Sequence, residues 1–96
     1  MKIVKKKTNG ELTISLEGRL DTNTSPNLEK ELIITSDLKS ITFDLEKLEY
    51  ISSSGLRILL STEKKMNGKK VIIKNANEYV KEVLDMTGFS ELFIMK

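Results

Sequence analysis

The sequence predicts an α/β fold: a mixed sheet of four to five strands, parallel in its middle and packed with helices. Three observations predict it. Asn9-Gly10 stands between two short strand candidates and is a two-residue hairpin signal of the kind whose turn needs positive φ. Beyond the hairpin, apolar spacing switches repeatedly between strand and helix periods. The order is strand, strand, helix, strand, helix, strand, helix, short apolar tail. Its two strand–helix–strand crossovers require parallel neighbours or near-neighbours, normally right-handed. Finally, Val71-Ile72-Ile73 is an unbroken apolar run, as expected of a strand covered on both faces. Ninety-six residues bury one core and not two, and no repeat, linker or low-complexity tract divides them, so residues 1–96 read as a single domain.

Each element has its own warrant. Lys2 to Lys7 is a short strand around Ile3-Val4. Glu11 to Glu17 alternates, with Leu12, Ile14 and Leu16 on one face and Thr13 and Ser15 on the other. Gly18 to Thr24 is a polar loop. Ser25-Pro26 opens a helix, the serine as cap and the proline at the first helical position. Leu28, Leu32 and Ile33 supply its stripe, and it should end near Thr35 to Asp37. Ser40 to Asp44 is the third strand, with Ile41, Phe43 and Leu45 alternating, and Glu46 to Glu49 is a charged connection. The next helix carries Leu56, Leu59, Leu60 and Met66, widened by Ile58. Lys64-Lys65 in its last turn and Asn67-Gly68 as a left-handed cap stop it. Lys70 to Lys74 is the fourth strand. Asn75-Ala76-Asn77-Glu78 has the spacing of a capping box with asparagine in the serine's place. The third helix uses Val80, Val83 and Leu84 and ends at Gly88, where Phe89 can close the cap. Phe93-Ile94-Met95 is a small strand or a docked end.

Composition excludes several functions. The chain has no His and no Cys, which removes thiolate chemistry, imidazole acid–base chemistry and the usual zinc sites. Carboxylates leave magnesium or calcium open, but no run resembles an EF-hand loop, and no metal or cofactor is expected. Sixteen basic and 14 acidic residues leave a net charge of +2, too balanced for a nucleic-acid binder. The lysine clusters at Lys2, Lys5, Lys6 and Lys7 and at Lys64, Lys65, Lys69 and Lys70 lack interleaved aromatics and read as solvated surface. No apolar run approaches a membrane span and no h-region opens the chain, so a cytoplasmic protein without a membrane partner is expected.

The stretch Tyr50-Ile51-Ser52-Ser53-Ser54-Gly55-Leu56-Arg57 places three hydroxyls and a glycine at a helix N-terminus. There the first N–H groups lack intrahelical partners and the dipole is positive. Such a place can hold an anion, or a serine that becomes one; equally, one serine can be only a cap. Parallel strands end on one sheet edge, so the loop containing Asp21 and the turn Ser52 to Gly55 should meet there. Asp21 can serve that meeting or form its own Asx-turn. Arg57 sits in the first helical turn against the dipole; it can point to solvent, meet an acidic partner, or pair with a phosphate on the turn.

The segment Phe43 to Leu59, with Ser52-Ser53-Ser54-Gly55 at its centre, resembles the signature of STAS domains, the anti-sigma factor antagonists. Gly18-Arg19-Leu20-Asp21 is similar to the family's earlier Gly-x-Leu-Asp element, and Val83 to Phe89 to its third-helix exit. The resemblance covers nearly the whole chain in order. It implies a STAS-like fold and a partner switch without enzymatic activity of its own. The unmodified antagonist binds an anti-sigma factor that is also a serine kinase and so frees a sigma factor. The kinase phosphorylates a serine in the turn, the complex dissolves, and a PP2C-type phosphatase resets it. Family members commonly read Asp-Ser-Ser-Gly or Asp-Ser-Thr-Gly, with the acceptor after the aspartate. On this chain the implied acceptor is Ser53, with Ser54 the alternative. Asp21, Ser52, Ser53, Ser54, Gly55 and Arg57 are the implied contact residues. Ser52 occupies the aspartate position, which removes one acidic contact and leaves three adjacent hydroxyls. Two rivals stand beside this reading. One is a STAS adaptor or scaffold that is never phosphorylated. The other is a small enzyme or anion-binding protein using the serine turn, which the missing His, Cys and Gly-rich phosphate loop oppose.

Overall fold

The computed structural model describes residues 1–96. It contains a five-stranded mixed sheet and three α-helices. Strands β1 (Lys2–Thr8) and β2 (Glu11–Leu20) form the hairpin. Helix α1 (Ser25–Glu31) leads to β3 (Ser40–Ile51), α2 (Ser53–Met66) to β4 (Lys70–Lys74), and α3 (Glu78–Met86) to β5 (Ile94–Met95). The sheet order is β1-β2-β3-β4-β5, antiparallel between β1 and β2 and parallel elsewhere. Asn9 at φ 50° and Gly10 at φ 81° make the hairpin turn as expected. Lys39 N–H donates to the Gly10 carbonyl at 2.7 Å, which ties the turn to the start of β3.

Because β2 to β5 follow sequence order, each parallel crossover steps the same way. Right-handed crossovers then place all three helices on one face of the sheet. Burial agrees. Leu12, Ile14, Leu16, Ile41, Phe43, Leu45, Val71 and Ile73 enter one core cluster with Leu28 of α1, Leu56, Ile58, Leu59 and Met66 of α2, and Val80 and Leu84 of α3. The alternating residues Thr13, Ser15, Thr42, Asp44 and Ile72 are only half-buried. The expectation that β4 is covered on both faces is therefore corrected: Ile72 lies on the helix-free face. Its apolar neighbour across the β4–β5 pair is Ile94.

Five boundaries also differ from expectation. Strand β2 runs on through Gly18-Arg19-Leu20, and β3 through the charged segment Glu46 to Glu49 to Ile51. A bulge opposite Leu16 adds a residue to β3, so buried positions fall at Leu45 and Leu48, three apart, and the period-2 signal is lost. Helix α1 starts at Ser25, not after it. Thr24 holds the cap position but its hydroxyl caps no helix N–H, and the Ser25 hydroxyl donates to the Asp21 carbonyl at 2.6 Å. It ends at Glu31. The β-branched Ile33, Ile34 and Thr35 favour extended backbone, and the chain must return to bury Leu38. The cap of α3 is Asn77, not Asn75: its Oδ1 accepts from Val80 N–H at 2.7 Å, and its Nδ2 donates to the Leu48 carbonyl at 3.0 Å. Asn75 instead adopts φ 61°.

The remaining stops are as expected. Asn67 closes α2 at φ 50°, with Lys64 and Lys65 in the last turn. Gly88 ends α3, and Phe89 opens a short 3₁₀ turn that packs on the core. Asn77→Ala should cost about 1 kcal/mol of unfolding free energy in a denaturant titration, the usual cost of losing a cap. Asn75→Gly should stay within about 0.5 kcal/mol, since glycine accepts positive φ freely.

Candidate functional site

The parallel β2–β3 pair builds the site. Its register runs to Arg19 opposite Tyr50 and Leu20 opposite Ile51. The next residues are therefore neighbours: Ser52 N–H donates to the Leu20 carbonyl at 2.9 Å. The Asp21 loop and the serine turn meet, as the shared strand edge predicts. Thr22 Oγ1 and Ser54 Oγ lie 3.4 Å apart across the junction.

The three serines are sorted into different positions. Ser52 has extended backbone and caps α2. Its Oγ accepts from Gly55 N–H at 3.3 Å, and its carbonyl accepts from Leu56 N–H at 2.9 Å. Ser54 is half-buried beside Thr22. Ser53, the first residue of α2, is exposed, and its hydroxyl has no hydrogen-bond partner. With Gly55 and Leu56 N–H satisfied by Ser52, the Ser53 and Ser54 N–H groups are the unclaimed donors of the first turn.

Gly55 is buried for a packing reason. A Cβ there would lie 2.7 Å from Leu20 Cγ and 2.9 Å from Ile51 Cγ1. The glycine lets α2 press onto the ends of both strands, and those same strand ends set where the turn stands.

Asp21 makes its own turn, as the local reading allowed. Its Oδ1 accepts from the N–H groups of Asn23 at 2.9 Å and Thr24 at 3.1 Å, and Arg19 Nε stands 3.8 Å from Oδ2. The Thr24 backbone bond does most to hold the carboxyl below the ordinary carboxylate range, helped by the Asn23 bond, the Thr24 hydroxyl and the Arg19 charge, against partial desolvation. Arg57 is exposed and in no ion pair. It lines a groove of about 300 Å³ between α1 and α2, together with Thr22, Glu29, Ser54 and Ser61.

The sequence reading missed a neighbouring stack. The Arg19 guanidinium lies 4.2 Å from the Tyr50 ring centroid, and Tyr50 stacks on Tyr79 at 5.7 Å and 16°. A signal existed: Arg19 precedes Asp21 by two residues, and Tyr50 precedes Ser52 by two, matching positions at the ends of parallel strands. No group of three or more His, Cys, Asp or Glu side chains is placed to hold a metal ion. No helix is long and apolar enough to cross a membrane.

Two predictions follow from this packing and titration. Gly55→Ala should destabilise the protein by about 1–3 kcal/mol, the usual cost of overpacking, seen as a lower denaturant midpoint. In an NMR titration Asp21 should lose its proton below the ordinary aspartate midpoint of about 3.9. A depressed carboxylate contributes stability above its unfolded pKa that is lost as pH falls through the folded value. Thr24→Gly removes the hydroxyl, loosens the backbone bond, and should move the Asp21 midpoint upward.

Known proteins share the family and the fold. Residues 2–96 match the family described as STAS domain. BtrV of Bordetella bronchiseptica, which bears the name of an anti-sigma factor antagonist, is 31% identical over 97 residues, covering 97% of this chain and 84% of BtrV. The structure of the anti-sigma factor antagonist SpoIIAA in its unphosphorylated form superposes with a TM-score of 0.86 at 19% identity, over 99% of this chain and 88% of that one. The phosphorylated form of SpoIIAA, a Bacillus cell fate determinant, gives 0.78 at 18% identity, over 99% and 91%. The hairpin and the three strand–helix–strand crossovers are thus those of a known fold, and the chain belongs to the STAS domain family.

Proposed function

We propose that this protein is an anti-sigma factor antagonist switched by phosphorylation of Ser53. Its unmodified form binds an anti-sigma factor with serine kinase activity and so frees a sigma factor. Phosphorylation dissolves the complex, and a PP2C-type phosphatase restores it. The observation that carries the reading is the sorting of the three serines. Ser52 is committed to the cap and Ser54 is half-buried beside Thr22, whereas Ser53 alone is exposed with an unengaged hydroxyl. The names of BtrV and SpoIIAA support the role, and SpoIIAA exists in both phosphorylated and unphosphorylated forms.

The physics of the turn supports the switch. A phosphate adds about −1.5 to −2 charges. At Ser53 it meets the positive end of α2 and two unclaimed N–H groups, so this domain has no need to refold. A partner packed against the turn loses fit and meets a new charge. A hundredfold loss of affinity requires only about 2.7 kcal/mol, within reach of one misplaced phosphate in an interface. Arg57, exposed and unpaired, is available to an acidic side chain of that partner. Asp21, fixed by its own turn, presents its remaining oxygen beside the same surface.

Intact-mass and peptide mass spectrometry of the protein from its own cells tests this. A single phosphate that disappears in Ser53→Ala and persists in Ser54→Ala is the expected result. Disappearance only in Ser54→Ala moves the acceptor by one residue. No phosphate under any growth condition, with no transfer from a cognate kinase, rejects the switch in favour of an unphosphorylated adaptor.

A further inference from the structure

Helix α3 carries two apolar stripes, and the core uses only one. Val80 and Leu84 are fully buried. Tyr79, Val83 and Met86 recur at the i, i+4, i+7 positions of a second stripe. Tyr79 is 45% exposed and Met86 78%, while Val83 sits half-buried at the rim of the core. Tyr79 and Val83 make contacts within this chain, to Tyr50 and to the core rim, but Tyr79 and above all Met86 keep surface that the core does not use. Methionine there suits a contact surface, because its unbranched thioether adapts to varied partners.

Tyr79 is held in place. It stacks on Tyr50, which in turn receives the Arg19 guanidinium. A ring fixed beforehand loses little freedom on binding, and Tyr and Arg are residue types that often dominate interface energetics.

Charge identifies what fits. Beside the stripe, Glu78, Glu82 and Asp85 form a row along α3 at i, i+4, i+7 and are exposed; Lys81 is the only basic residue of the helix. None of the three carboxylates joins an ion pair; the pairs are Lys5–Glu31, Lys7–Asp37, Arg19–Asp21 and Lys74–Asp44. A second copy laid stripe to stripe would bring like charges together, and an anionic lipid surface would be repelled.

We propose that the Tyr79–Val83–Met86 stripe docks a basic amphipathic helix of a protein partner. The partner's apolar residues lie along the stripe, and its Lys or Arg side chains face Glu78, Glu82 and Asp85. The inference does not rest on phosphorylation of Ser53, and the two fail separately.

The test is an amide NMR titration of the full chain with a synthetic amphipathic helix of about 18 residues, leucine on one face and lysine beside it. The control is the same peptide with glutamate for lysine. Shift changes should concentrate on residues 78–86 and on Arg19 and Tyr50. Affinity should fall at least tenfold for the glutamate peptide, for Met86→Glu and for Glu82→Lys, and should be unchanged in Lys30→Ala, an exposed position on α1. Glu82→Lys should partly recover binding to the glutamate peptide. Changes scattered over the surface, equal affinity for both peptides, or indifference to Met86→Glu would overturn the proposal. So would a dimer in light scattering that Met86→Glu dissolves, since a second copy would then cover the stripe.

Discussion

The close approach of α2 to the ends of β2 and β3 is the constraint on which the site depends. Gly55 faces Leu20 and Ile51 with no room for a Cβ, and Ser52 N–H is bonded to the Leu20 carbonyl. Those contacts fix the helix start relative to two strands whose own register is set by the parallel ladder. The serine turn is thus an extension of the sheet rather than a free loop. A hydroxyl presented from such a support is held by packed backbone, so its position survives changes in its own chemistry.

The same constraint divides labour among similar side chains. Ser52 is consumed by capping, and Ser54 faces Thr22 over the α1–α2 groove. Ser53 is left for outside contact. Asp21 is likewise consumed locally, holding the adjacent loop in shape through two backbone N–H groups. Structure therefore draws on Ser52 and Asp21 and leaves Ser53 exposed within one short surface. Under the proposed switch, that separation lets binding change without a change of fold.

Much of this was legible in the sequence, and the failures are physical. Asn9-Gly10 and Asn67-Gly68 read correctly because positive φ leaves few alternatives to asparagine and glycine. The meeting of the two loops followed from crossover topology alone. The β3 extension was hidden because a bulge shifts the buried positions from Leu45 to Leu48, which resembles a break in the strand. Ser25 looked like a cap because Ser-Pro is a common helix start, yet its hydroxyl turns back to the Asp21 carbonyl. The choice between Asn75 and Asn77 depended on which side chain reaches Val80 N–H, a tertiary fact. The Arg19–Tyr50–Tyr79 stack needed the register and the α3 position together, and neither residue pattern states both.

The most direct test of the central claim, that modification alters a surface and not the fold, is amide hydrogen exchange on the free chain before and after stoichiometric phosphorylation of Ser53. The account predicts unchanged protection from Leu56 to Met66 and along β3, with differences confined to the turn at Ser52 to Gly55. Loss of protection through α2 would contradict it and would make the switch a refolding event.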